Sequence, residues 1–206
     1  MRRGGTRRAR LPRQALRPPA ADRPGEADRP GLTGFDRHLE RFVVHHRTEV
    51  FDHVFVWLSR VGTLGLVWIG IALVLALLRR RPALVPLVLA ADGVADLLAR
   101  AIKSVVDVER PAVRYAEPKA LVPVPHDHSF PSGHAATSFA CGTVLALAFP
   151  RLAVPLYVLA VAIGFSRVYV GVHYPLDVLG GALLGLVVGL LVARLGVRLG
   201  RSGARP

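Results

Sequence analysis

The chain has 206 residues, 52% of them hydrophobic, and a formal net charge of +13 from 27 Lys+Arg against 14 Asp+Glu. Charged and apolar residues are segregated along it and mean hydropathy is positive, which excludes an ordinary soluble domain and points to a membrane protein of one domain. The basic excess lies in the N-terminal tail and between apolar segments, so it is read as charge that orients the chain and meets anionic membrane lipids, with no nucleic acid as partner. The single Cys141 sits in an apolar run, so there is no disulfide framework.

Residues 1–33 are rich in Arg, Pro, Gly and Ala and lack apolar periodicity, which predicts a disordered tail. They also lack the continuous apolar core of a cleaved signal peptide. Over 34–60, Phe42, Val43, Val50, Phe51, Val54, Phe55 and Leu58 recur at helical spacing. His45, His46, Arg47, Glu49 and Asp52 interrupt them, so this stretch is expected to be an amphipathic interfacial helix or a weak transmembrane one. Five stronger apolar segments follow, at about 61–78, 82–102, 134–150, 152–166 and 174–193. The predicted fold is all-α, a polytopic transmembrane bundle of five strong spans plus the N-terminal helix. The bundle occupies 61–200, with a basic tail at 201–206.

If the five segments alternate across a bilayer, Arg79, Arg80, Arg81, Arg151, Arg194, Arg198, Arg201 and Arg205 share one side. An excess of Arg marks the cytoplasmic side. The loop 103–133 and the turn 167–173 then share the outer face. Five spans would leave the Arg-rich N-terminus outside, against the same rule, unless 42–60 crosses as a sixth.

Three clusters fall on that outer face. They are Lys103 with Arg110-Pro111, Pro131-Ser132-Gly133-His134, and Ser166-Arg167 followed by His173 and Asp177. Lys103, Arg110 and Arg167 form a donor array suited to phosphate oxygens. Ser132 and Gly133 open a helix, where unpaired backbone N–H groups favour an anion and glycine admits close approach. A neutral imidazole can attack phosphorus and a second histidine can protonate a departing oxygen. His173 and Asp177, four apart, share a helix face on which the carboxylate can hold the imidazole tautomer. Each element alone has a plainer explanation: a snorkelling cation, a turn, a helix cap. Their joint placement outweighs these.

Together the clusters resemble the tripartite signature of the type 2 phosphatidic acid phosphatase family, over about residues 60–193: Lys, six residues, Arg-Pro; Pro-Ser-Gly-His; Ser-Arg, five residues, His, three residues, Asp. Every motif position matches. The resemblance implies a membrane lipid phosphatase in which His173 attacks phosphorus to form a phosphohistidine. It implies that Asp177 orients His173 and His134 protonates the leaving oxygen. Lys103, Arg110, Ser132, Gly133, Ser166 and Arg167 would bind phosphate, with no metal and no cofactor. The implied substrates are lipid phosphates or diphosphates, including undecaprenyl diphosphate, phosphatidic acid and phosphatidylglycerophosphate, met at the outer face of the cell membrane. A phosphotransferase passing the phosphate to another acceptor, or a non-catalytic lipid-phosphate-binding membrane protein, is the alternative. A vanadate-dependent haloperoxidase has a similar signature, but the five apolar segments argue against one. No oligomeric state is assigned.

Asp92, Asp96, Arg100 and Lys103 share one face of the second segment, with Asp96–Arg100 expected as an internal pair. Gly181, Gly185 and Gly189 form a small-residue ridge suited to close helix packing, within the bundle or at a dimer face, the first being expected. His126-Asp127-His128 has the composition of a metal cluster, but three sequence neighbours rarely converge on one ion. These residues are expected to shape the pocket rim, and the loop 112–130 to border lipid entry.

Overall fold

Residues 32–115 and 119–202 are described in this computed structural model, and all regular structure among them is helical. Most of the predicted tail, 1–31, lies outside them, and Leu32 and Thr33 already belong to the first helix. The elements are α1 (Leu32–His45), α2 (Glu49–Val61), α3 (Leu66–Arg79), α4 (Leu84–Lys103), the short α5 (Pro111–Arg114), α6 (Gly133–Ala148), α7 (Ala153–Tyr169) and α8 (Pro175–Ser202). The stretch 34–60 is therefore two helices and not one. The break at 46–48 is tied elsewhere: Arg47 Nε donates to the Tyr169 carbonyl at 2.8 Å and Nη1 to that of Lys119 at 2.9 Å. Glu49 and Asp52 in the first turn of α2 complement the positive end of its dipole.

Each of the five apolar segments is helical, but only two elements among the described residues are long and apolar enough to cross a membrane. They are Pro150–Tyr169 and Pro175–Gly196. A third exists if α2 and α3, bent by 68°, count as one broken span. The reasons are charge and length. The α4 helix carries Asp92, Asp96, Arg100 and Lys103. The α6 helix has 16 residues, which at about 1.5 Å each reach only about 24 Å.

The core runs along α6, which packs against α4, α7 and α8. Ala135, Ala136, Ala140, Cys141 and Leu145 are buried on several sides of it, as expected of a helix with no strong apolar stripe. Trp68 of α3 is fully buried and donates its indole N–H to Ser138 of α6 at 3.1 Å. Outside, Leu179, Leu183, Val187 and Leu191 form an exposed apolar stripe on α8 at four-residue spacing, and Val154, Val158 and Val161 a similar one on α7. Such a surface suits lipid.

The glycine ridge packs internally. A Cβ on Gly181, Gly185 or Gly189 would lie 2.3, 2.3 or 2.6 Å from the carbonyl oxygens of Ser132, Ala136 or Ala140. Helix α8 thus rests on α6 at backbone contact. Gly185→Ala should cost about 1–3 kcal/mol, because a backbone oxygen cannot rotate aside. The control Gly93→Ala, where the Cβ meets nothing within 4 Å, should stay within about 1 kcal/mol of the parent. Thermal unfolding in detergent reads both.

Candidate active site

All three sequence clusters meet at one end of the bundle, around a cavity of about 460 Å³. Lys103 ends α4, Arg110 precedes α5, Gly133 and His134 open α6, Arg167 lies near the end of α7, and His173 occupies the turn before α8. The turn and the loop are bonded together: Leu121 N–H donates to the Val170 carbonyl at 3.0 Å and Arg110 Nη1 to that of Val172 at 2.9 Å.

His173 is 2% exposed. Its Nδ1 lies 3.3 Å from Asp177 Oδ2. That oxygen also accepts from Ser129 Oγ at 2.5 Å and from the Tyr174 N–H at 2.8 Å. A carboxylate held this way accepts a proton-bearing Nδ1, which leaves the lone pair on Nε2. Nε2 faces Arg110 Nη1 at 3.1 Å. Burial first, then the charges of Arg110, Arg167 and Lys103, hold the imidazole well below the usual histidine range. It is therefore a neutral imidazole, the protonation form a nucleophile needs, with its Nε2 lone pair met by Arg110 in this conformation.

His134 Nε2 lies 3.1 Å from the Ser59 carbonyl. A carbonyl only accepts, so Nε2 carries the proton. Ser59 Oγ in turn accepts from Arg167 Nη1. Arg167 is 6% exposed, and its buried Nε has no hydrogen-bond partner among the described residues. A buried guanidinium N–H left this way has an anion as its natural complement. A Cβ on Gly133 would meet nothing within 4 Å, so the helix N-terminus is open to the cavity.

Two of the expected phosphate-binding hydroxyls are engaged elsewhere. Ser132 Oγ caps α6, accepting from the Ala135 N–H at 3.4 Å. Ser166 Oγ donates to the Ile163 carbonyl at 2.6 Å within its own helix, and both side chains are fully buried. In this conformation they build the walls behind the pocket.

The Asp96–Arg100 pair forms at 2.8 Å, but it lines the cavity mouth with side chains 41% and 66% exposed, and is not internal. His126, Asp127 and His128 do not act as one cluster. His128 Nδ1 pairs with Asp107 at 3.1 Å, whereas Asp127 bonds Lys103 and Arg110. Three contributors escaped the sequence reading: Ser59, Ser129 and Asp36. Asp36 of α1 accepts from the Leu176 N–H at 2.8 Å, capping α8 from another helix. Burial raises its carboxyl to about 6, against that hydrogen bond. Each is an ordinary polar residue distant in sequence from its partner, and no local pattern marks it.

Fold and site together define a helical membrane protein whose buried cations, paired histidines and helix N-terminus are suited to phosphoryl transfer. Comparison gives the family: residues 82–201 match the PAP2 superfamily, and the chain belongs to it. It is 33% identical over 154 residues to an undecaprenyl-diphosphatase of Sulfolobus acidocaldarius, covering 74% of each chain. The crystal structure of Aquifex aeolicus LpxE superposes with a TM-score of 0.69 at 30% identity, covering 78% of this chain and 95% of that one. The PAP2-type phosphatidylglycerolphosphate phosphatase of Bacillus subtilis superposes at 0.67 with 27% identity, covering 81% and 86%. The chain is thus a phosphatase and membrane-associated.

Ser129→Ala removes one hydrogen bond to Asp177 and should loosen the His173 tautomer without altering the pocket. The expected loss is about tenfold in kcat for phosphate release, with KM nearly unchanged. Steady-state kinetics beside Asp177→Asn checks this.

Proposed function

We propose that the chain hydrolyses the terminal phosphate of a lipid phosphate or diphosphate, a polyprenyl diphosphate foremost, through a phosphohistidine on His173. The observation that carries this is the line Asp177–His173–Arg110: a buried neutral imidazole, oriented by a carboxylate at Nδ1, presents Nε2 to a cation-lined cavity. The match to an undecaprenyl-diphosphatase over three quarters of the chain favours the polyprenyl substrate.

In this reading Nε2 of His173 attacks phosphorus, and the bond from phosphorus to the leaving oxygen breaks. Arg167, Arg110 and Lys103 hold the charged oxygens, which supplies the stabilisation without recourse to a metal. His134, entering the step as the imidazolium, releases the Ser59 carbonyl and passes its Nε2 proton to the leaving oxygen, which leaves it neutral. Water then attacks phosphorus, its proton returns to His134, the P–N bond breaks, and inorganic phosphate leaves with His173 neutral again.

The five apolar helices α3, α4, α6, α7 and α8 are proposed to cross the membrane. Charge distribution supports an outer active site. Arg79 ends α3, and Arg80, Arg81 and Arg151 lie in the linkers, all at the helix ends opposite Lys103 and Arg167, and Arg81 stacks over Phe149 at 5.6 Å. That basic end is the one expected in the cytoplasm.

The test is phosphate release by the detergent-purified chain, with EDTA, from undecaprenyl diphosphate, phosphatidic acid and phosphatidylglycerophosphate, beside His173→Ala. Release should persist in EDTA and fall at least about 10³-fold in the variant. An acid-labile phosphoprotein should be trapped in the wild type and be missing in the variant. Equal release by the variant, or none from any lipid by the wild type, rejects the mechanism.

A further inference from the structure

Arg110 has five N–H donors, and all five are engaged. Nε donates to the Asp127 carbonyl at 3.0 Å. Nη1 serves the Val172 carbonyl at 2.9 Å and His173 Nε2 at 3.1 Å. Nη2 serves Asp127 Oδ1 at 2.7 Å and the His128 carbonyl at 3.3 Å. Lys103 is similarly held, by the His128 carbonyl at 2.7 Å and Asp127 Oδ2 at 3.0 Å. A phosphate oxygen can take a bond from Arg110 only if one of these partners leaves.

The partners differ in how easily they leave. Two are backbone carbonyls of the chain beside the site, Val172 and His128, and a third is the carbonyl of Asp127 itself. His173 is packed on every side. The Asp127 carboxylate is 50% exposed, on a loop, while Lys103 and Arg110 are 8% and 3% exposed. A half-exposed carboxylate regains water when it swings away, so its departure costs least. Its two oxygens meet the two cations much as two phosphate oxygens would.

We propose that Asp127 is the resident anion of the pocket, bridging Lys103 and Arg110 when no phosphate is bound, displaced by the substrate, and returning to help expel inorganic phosphate. The proposal rests on the cavity being the phosphatase site. Three buried cations around one cavity would otherwise hold the product tightly, and slow product release limits many enzymes. A built-in competitor lowers affinity for every anion by the fraction of time it occupies the cations. Burial alone would raise the Asp127 carboxyl, but hydrogen bonds from Arg110 and Lys103 bring it to about 2, so the competitor is charged at neutral pH. Asp127 is a positioning residue here; it transfers no proton.

The sign of one measurement separates a competitor from a builder of the cradle. Orthophosphate is titrated calorimetrically into the full chain in detergent, as wild type, Asp127→Asn and Asp127→Ser, each checked for thermal unfolding. Loss of the competing carboxylate should tighten phosphate binding about tenfold, and added phosphate should inhibit the variants' lipid turnover more strongly than the wild type's. Two substitutions of different size guard against one misfolding. Equal, weaker or undetectable phosphate binding in the folded variants overturns the proposal. Calorimetry needs no turnover. A wild type that hydrolyses no lipid would therefore sink the hydrolase reading alone, and tighter phosphate binding in the variants would still uphold Asp127 as the resident anion.

Discussion

Backbone contact between α6 and α8 is the constraint from which the site follows. Gly181 lies against the Ser132 carbonyl, and the Ser132 N–H donates to the Asp177 carbonyl at 2.9 Å. The opening turn of α6, with Gly133 and His134, is thereby locked to the opening turn of α8, with Asp177. A bulkier residue on the ridge would separate the helices by more than a hydrogen bond tolerates. The distance between the two histidine-bearing motifs is set by glycines that do not line the cavity.

The second constraint is electrostatic. Lys103, Arg110 and Arg167 are buried close to one another and to two histidines, an arrangement that is unfavourable unless anions or carbonyls answer it. The protein answers with Asp177, Asp127 and a set of main-chain carbonyls. The same field that would attract an anion disfavours a charged His173, so on the proposed mechanism nucleophile and binding site share one cause.

The sequence made the charged chemistry legible and the polar scaffolding illegible. Lys103, Arg110, His134, Arg167, His173 and Asp177 stand out because each is costly in an apolar context and their spacing is local. Ser59, Ser129 and Asp36 act across 108, 48 and 140 residues, on Arg167, Asp177 and the Leu176 N–H respectively. A serine or a helical aspartate is too common to announce such a contact. The glycine ridge was legible because three glycines four apart have few other uses on an apolar helix. The stretch 34–60 was half legible: its amphipathic period was visible, but the break at 46–48 depends on Arg47 reaching Tyr169 and Lys119, which no local pattern encodes. Ser166 stands between the two: its place beside Arg167 is legible, whereas the bond of its hydroxyl to the Ile163 carbonyl of its own helix is not.

The matched family region begins at residue 82, yet α1, α2 and the break between them hold three of the site's supports. Asp36 caps α8, Arg47 ties the Tyr169 carbonyl, and Ser59 engages both Arg167 and His134. The turn after α2 also places Gly62 and Thr63 in the cavity wall. On the proposed mechanism the shared motifs hold a phosphate and nothing attached to it. Whatever distinguishes one lipid from another would then come from surfaces beside the motifs, and the α2–α3 elbow is where such a surface meets His134. A protein family can thus keep one phosphoryl chemistry over α4–α8 while the helices before it vary with the lipid. By this argument, exchanging α1–α3 between family members should move substrate preference and leave the mechanism in place.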